Sequence, residues 1–68
     1  DMAVQLGREL VRIAPYDERA HRNLMNALRA SGNPSGAAKV ERDFTDRLNA
    51  DLGVAPSPDF FVPLTPSS

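Results

Sequence analysis

Apolar residues recur at three- and four-residue intervals along most of the chain, in three blocks separated by short breaks that contain Pro or Gly. This spacing is typical of amphipathic α-helices, which have about 3.6 residues per turn. The first block predicts a helix over residues 2–14, which Pro15 ends because it cannot continue a helix. The apolar positions of this helix are Ala3, Leu6, Leu10 and Ile13, with Val4 and Val11 beside them.

The other two blocks predict helices over residues 17–31 and 34–52. Asp17 is a suitable N-cap for the second helix, and Asn33 for the third, where Pro34 follows at the first helical position. Gly32 and Gly53 supply the left-handed residue that commonly ends a helix. The predicted buried positions are Ala20, Leu24, Ala27 and Leu28, with Met25 beside them, and Ala37, Val40, Phe44, Leu48 and Leu52.

The short connections favour antiparallel packing of neighbouring helices, so the sequence predicts an all-α fold of helical hairpins. Beyond Gly53, the four residues Pro56, Pro58, Pro63 and Pro66 exclude a long helix. A short helical turn could carry Phe60 and Phe61 before Pro63. We expect residues 61–68 to form a disordered tail or linker.

A weak internal repeat refines this fold prediction. Tetratricopeptide repeats are helix–turn–helix units of about 34 residues. Ala3 and Ala37 are 34 residues apart, as are Leu10 and Phe44, and Pro15 lies where the closing Pro of a repeat would fall. This favours a tetratricopeptide-like arrangement with the first helix as the second half of one repeat. The alternative is an unrelated three-helix bundle.

Two stretches of the chain resemble a known family. The stretch Ala14–Leu28 (APYDERAHRNLMNAL) and the stretch Leu52–Asp59 (LGVAPSPD) are similar to motifs of the bacterial transcriptional activator domain. The resemblance covers residues 3–60. It implies that residues 1–60 are the C-terminal part of such a tetratricopeptide-like domain, and the chain enters a helix pattern at once, as a piece of a longer protein would.

The resemblance also implies a function. Domains of this family follow a winged-helix DNA-binding domain in regulators of the SARP type, where they serve dimerisation, intramolecular docking or contact with the transcription machinery. We therefore expect a protein-interaction module whose partner is a protein: a second copy, another domain of the parent, or the transcription machinery. The alternative is an accessory segment of a large signalling ATPase or cyclase.

Composition excludes most other functions. The chain has no Cys and one His, so it lacks the ligands of a usual zinc site and a Cys nucleophile. His21 is expected to be a partly buried structural residue, and we predict no catalytic, cofactor or metal site. Eight basic and nine acidic residues give a net charge of −1, which argues against direct nucleic-acid contact. No apolar run could span a membrane, and the absence of Cys fits a cytoplasmic protein.

The second helix carries the one candidate site. Four polar residues recur at three- and four-residue steps, away from the Leu24–Leu28 stripe, and form what we call the basic stripe: Arg19, Arg22, Asn26 and Arg29. Arg suits bidentate capture of carboxylates. In a tetratricopeptide array these side chains would face the concave surface. The sequence therefore suggests a docking site for an acidic peptide or domain, although a solvated helix face would show the same pattern.

Fewer than two full repeats should leave one apolar face uncovered, since such units bury their faces on neighbours. We expect Val4, Val11, Phe60 and Phe61 to be exposed. The chain should consequently self-associate, or be ordered only beside the rest of its parent.

Overall fold

The computed structural model describes residues 2–58, which form three α-helices and no β-strand. Helix α1 covers Met2–Ile13, α2 covers Glu18–Ala30 and α3 covers Pro34–Leu52. The predicted all-α fold is confirmed, and each helix boundary lies within one residue of its predicted position.

The helix caps follow from local side-chain chemistry. The Asp17 carboxylate accepts hydrogen bonds from the amides of Arg19 at 2.9 Å and Ala20 at 3.3 Å, and so satisfies two free N–H groups at the start of α2. The Asn33 side chain accepts from the Gly36 amide at 2.9 Å and does the same for α3. Both predicted N-caps are therefore confirmed.

Glycine ends the second and third helices. Gly32 follows the C-cap of α2 with φ +83°, and Gly53 is the C-cap of α3 with φ +68°. Only a residue without Cβ adopts this left-handed conformation at low cost. The chain can thus reverse direction after α2 and leave α3 abruptly.

The core forms where α2 packs on both other helices. The predicted burial of Leu24, Leu28 and Phe44 is confirmed, and each of these side chains is almost fully buried. Val4, Val11 and Val40 are partly buried at the edge of the same cluster. The members of the core cluster are Leu24, Met25, Leu28, Ala37, Phe44 and Leu48.

Helix α1 meets α2 through its Val4–Gly7–Val11 side. A Cβ added at Gly7 would lie 3.1 Å from Leu24 Cδ1 and 3.2 Å from Leu24 Cα, so the two helices approach as closely as glycine permits. The expectation that Val4 and Val11 are exposed is wrong, because this close approach leaves both side chains partly buried. The expectation for Phe60 and Phe61 lies outside the described residues.

The last turn of α3 departs from its predicted pattern. Leu52 was predicted to be buried but is exposed. Helix α3 has 19 residues and α2 has 13, so the end of α3 extends past α2 to the α1–α2 connection. There the Tyr16 hydroxyl donates to Asp51 Oδ2 at 2.8 Å, which shows that α2 and α3 run antiparallel.

The segment after α3 returns to the start of α2. The Ser57 amide donates to Glu18 Oε2 at 3.1 Å, and the Ser57 hydroxyl donates to the other oxygen of the same carboxylate. Pro56, directly before it, is buried. These contacts hold residues 54–58 against the three-helix unit.

Candidate functional site

Helix α1 exposes a row of large apolar side chains on the side that faces away from Val4 and Val11. Leu6 is 60% exposed and Ile13 is 66% exposed. The spacing of four, four and three residues places the whole row on one side of the helix. We call this surface the α1 apolar face, which consists of Met2, Leu6, Leu10 and Ile13.

The 34-residue repeat explains what kind of surface this is. Leu10 of α1 corresponds to Phe44 of α3, and Leu6 corresponds to Val40. In α3 this side of the helix packs on α2, where Phe44 is fully buried and Val40 partly buried. Leu6 and Leu10 thus occupy positions that a helix equivalent to α2 would cover, and Met2 and Ile13 extend the same exposed face at its two ends.

A shallow cleft of about 210 Å³ continues the α1 apolar face toward α2. Leu10 and Ile13 line it from α1, and Ala20 and Asn23 line it from α2. A helix lying along the α1 apolar face could therefore also contact α2. The small side chain of Ala20 leaves room for this second contact.

The basic stripe predicted from the sequence lies on α2. Arg19 and Arg29 are exposed, whereas Arg22 and Asn26 are partly buried. Within residues 2–58, the two ion pairs are Glu9–Arg12 and Lys39–Asp43, so none of these three arginines has an acidic partner there. The structure brings the four residues onto one helix.

Within the basic stripe, Arg22 stands out. Its Nε atom is buried and has no hydrogen-bond partner among the described residues. A buried N–H group without an acceptor costs free energy, on the order of 1–3 kcal/mol. An oxygen acceptor arriving at this position would remove that cost.

His21 is a structural residue in this fold. Its ring stacks on Phe44 with centroids 4.0 Å apart, and its Nδ1 lies 2.8 Å from the Asp17 carbonyl oxygen, which an N–H at this position would satisfy. Burial lowers the pKa of His21 below its ordinary value, and the hydrogen bond to Asp17 offsets part of that effect. Neutral imidazole is therefore the form that this core accommodates.

Comparison with known families decides the classification. Residues 1–61 match the bacterial transcriptional activator domain. The chain belongs to this family. No curated protein and no solved structure is significantly similar to it. The match shows that this bacterial transcriptional activator domain is part of a transcription regulator, and the family is not one of enzymes.

The two stretches that resemble bacterial transcriptional activator domains meet in space. Glu18 belongs to the first stretch and Ser57 to the second, and the two residues are joined by the hydrogen bonds described above. The two residues are 39 positions apart in the sequence, and the members of the core cluster lie between them. The two stretches that resemble the family are therefore the segments that join the start of α2 to the chain after α3.

Residues 2–58 of this bacterial transcriptional activator domain contain no group of His, Asp and Glu side chains arranged to hold a metal ion. Among the helices described, none is both long and apolar enough to cross a membrane.

Sequence reasoning missed the α1 apolar face. The signal was present, since the 34-residue repeat relates the side of α1 that contains Ala3 and Leu10 to the buried side of α3. From the sequence alone, however, these residues look like core, because the sequence does not show that α2 packs on the other side of α1. The Tyr16–Asp51 contact had no comparable signal, because its partners are 35 residues apart and both are ordinary surface residue types.

Proposed function

We propose that this bacterial transcriptional activator domain is a protein-interaction module, and that the α1 apolar face is its main contact surface. The observation that carries the proposal is the exposure of a helix side whose equivalent in α3 is buried on α2. The DNA-binding part of the regulator would lie outside this chain. The family match favours this function over an accessory segment of a signalling ATPase or cyclase.

The occupant that fits the α1 apolar face is an amphipathic helix of the α2 type. On α2, Leu24 and Leu28 follow each other at about one helical turn and share the core cluster with Phe44 and Leu48 of α3. Burying one exposed Leu or Ile side chain gains roughly 1.5–3 kcal/mol. Several such side chains together can offset the cost of association. In the isolated chain, the exposed amphipathic helix that can take this place is α1 of a second copy, so that two α1 apolar faces cover each other.

Sedimentation velocity over a range of concentrations tests the proposal. We expect the unaltered chain to self-associate and the Leu6→Glu/Leu10→Glu variant to sediment as a monomer. The matched control Ala38→Glu/Asn49→Glu adds the same charge at exposed positions of α3 and should associate as the unaltered chain does. A chain that stays monomeric at every concentration and melts cooperatively would contradict the proposal.

The basic stripe is proposed as a second contact surface, for an acidic segment of the parent or of a partner. The unpaired charges of Arg19, Arg22 and Arg29 and the buried Nε of Arg22 support this assignment. Each exposed pair would contribute only about 0–1 kcal/mol, so the arginines must act together. The Arg22→Glu/Arg29→Glu variant should no longer bind the acidic segment but should keep its helix content. If a regulator with these two substitutions activates transcription normally, the basic stripe is only a solvated helix face.

A further inference from the structure

A groove of about 490 Å³ lies between α1 and α3, both of which pack on α2. Leu24 and Phe44 contribute to its apolar floor, and Val11 and Val40 line its walls. Both valines are only partly buried, so apolar surface remains open inside the groove. We call this feature the α1–α3 groove. It shares no residue with the α1 apolar face or the basic stripe.

Charged side chains from both helices line the α1–α3 groove. Arg8 and Arg12 come from α1, and Asp43 and Arg47 come from α3. Arg12 is paired with Glu9, and Asp43 is paired with Lys39. Neither Arg8 nor Arg47 forms an ion pair within residues 2–58, although Arg47 is near enough to Asp43 to help lower the pKa of that carboxyl. Two unpaired guanidinium groups therefore stand on opposite walls of a groove with an apolar interior.

We propose that the α1–α3 groove binds an acidic peptide segment that carries one large apolar side chain. The apolar side chain would cover Val11 and Val40. Carboxylates on either side of it would bind Arg8 and Arg47, since guanidinium groups form paired hydrogen bonds with carboxylates. An elongated peptide suits this groove, because the groove is open to solvent between two helices rather than enclosed.

The charge balance favours an acidic ligand over a basic or neutral one. Asp43 is the one carboxylate that lines the groove among the described residues, and the Lys39 ammonium beside it holds its pKa below the ordinary value. Its charge is thus already paired. A basic segment would face Arg8 and Arg47 with no free carboxylate to bind.

Fluorescence anisotropy with defined peptides tests the proposal. The probe is a labelled peptide, Asp-Glu-Phe-Glu-Asp, compared with Asn-Gln-Phe-Gln-Asn and Asp-Glu-Ser-Glu-Asp. We expect saturable binding of the first peptide alone, weakened by added salt because the arginines are exposed. Removing either the charges or the aromatic ring should weaken binding by about tenfold or more.

Two double variants with the same charge change locate the site. Arg8→Gln/Arg47→Gln should weaken binding by about tenfold or more. Ala38→Glu/Asn49→Glu makes the chain more negative by the same amount at exposed positions of α3 that do not line the groove, and should change binding by less than about twofold. Circular dichroism checks that the helices persist, and Arg8→Ala/Arg47→Ala serves if the first variant does not fold. Amide chemical shifts of Val11 and Val40 should move on binding.

Three results would overturn the proposal: no saturable binding of the acidic aromatic peptide, equal loss from both double variants, or equal binding of the Phe and Ser peptides. The last would indicate simple charge attraction at the surface. None of these results bears on the α1 apolar face, because Leu6 and Leu10 do not line the groove and are tested by sedimentation.

Discussion

Leu10 and Phe44 occupy equivalent positions 34 residues apart, yet Leu10 is 41% exposed and Phe44 is 2% exposed. The difference comes from α2, which covers Phe44 and packs on the other side of α1, against Gly7. The same helix side is therefore core in α3 and surface in α1. An exposed helix side with the apolar pattern of a core favours burial against a partner. The proposed function rests on this comparison of α1 with α3.

The different exposure of Leu10 and Phe44 predicts different losses of stability when each residue is replaced by Ala. Phe44→Ala removes a fully buried ring and should lower the free energy of unfolding by roughly 3–5 kcal/mol. Leu10→Ala removes a half-exposed side chain and should cost less than about 1 kcal/mol in dilute solution, where no second copy covers it. Urea unfolding followed by circular dichroism measures both. Similar costs for the two variants would show that α1 and α3 are packed alike.

His21 should make stability depend on pH. Burial holds the pKa of His21 below its ordinary value of 6.5, so the unfolded chain binds a proton more readily than the folded one. Above pH 6.5 the residue is neutral in both states and costs nothing. The free energy of unfolding should therefore fall as pH drops from 6.5 toward the lower folded pKa. Unfolding curves between pH 7 and pH 5, about the range of His titration, measure this.

The control for this prediction is His21→Gln, which cannot titrate. The charged groups near the ring are Asp17 and Arg47, and Arg47 further lowers the pKa of His21. We expect the variant to be less stable than the unaltered chain near neutral pH but to show a flatter pH profile above pH 5. If both proteins lose stability in parallel, carboxylates rather than His21 cause the effect.

Tyr16 provides a direct probe of the contact between the α1–α2 connection and α3. It is the one Tyr in a chain without Trp, so phenolate absorbance reports it alone. Its hydrogen bond to the Asp51 carboxylate raises the pKa of Tyr16 above its ordinary value of 10.0. Asp51→Asn should bring the titration midpoint down toward that value. An identical midpoint in both proteins would show that the hydrogen bond is absent in solution.

Much of the fold followed from local rules. The N-caps Asp17 and Asn33 and the left-handed Gly53 depend on side chains within three residues of the helix ends, so a single sequence contains the necessary information. The burial of Leu24 and Phe44 followed from helical spacing. These features are set by neighbours along the chain.

The features that the sequence did not predict depend on which sides of the three helices contact one another. In α1, apolar residues occupy two sides, and only the close approach at Gly7 decides that Val4 and Val11 are covered and Leu6 is not. The α1–α3 groove likewise arises from residues of three helices. For the basic stripe, the helical spacing in the sequence already placed Arg22 on the same side of α2 as Arg19 and Arg29, whereas the burial of its Nε atom depends on the packing of the helices.

Thiol labelling of single-cysteine variants tests most directly whether the α1 apolar face is the contact surface. The chain has no Cys, so Leu6→Cys and the exposed control Asn49→Cys each carry one reactive group. We predict that, as protein concentration rises and the chain associates, labelling of Cys at position 6 slows while labelling at position 49 keeps its rate. Equal rates at all concentrations, or slowing at both positions, would contradict the account.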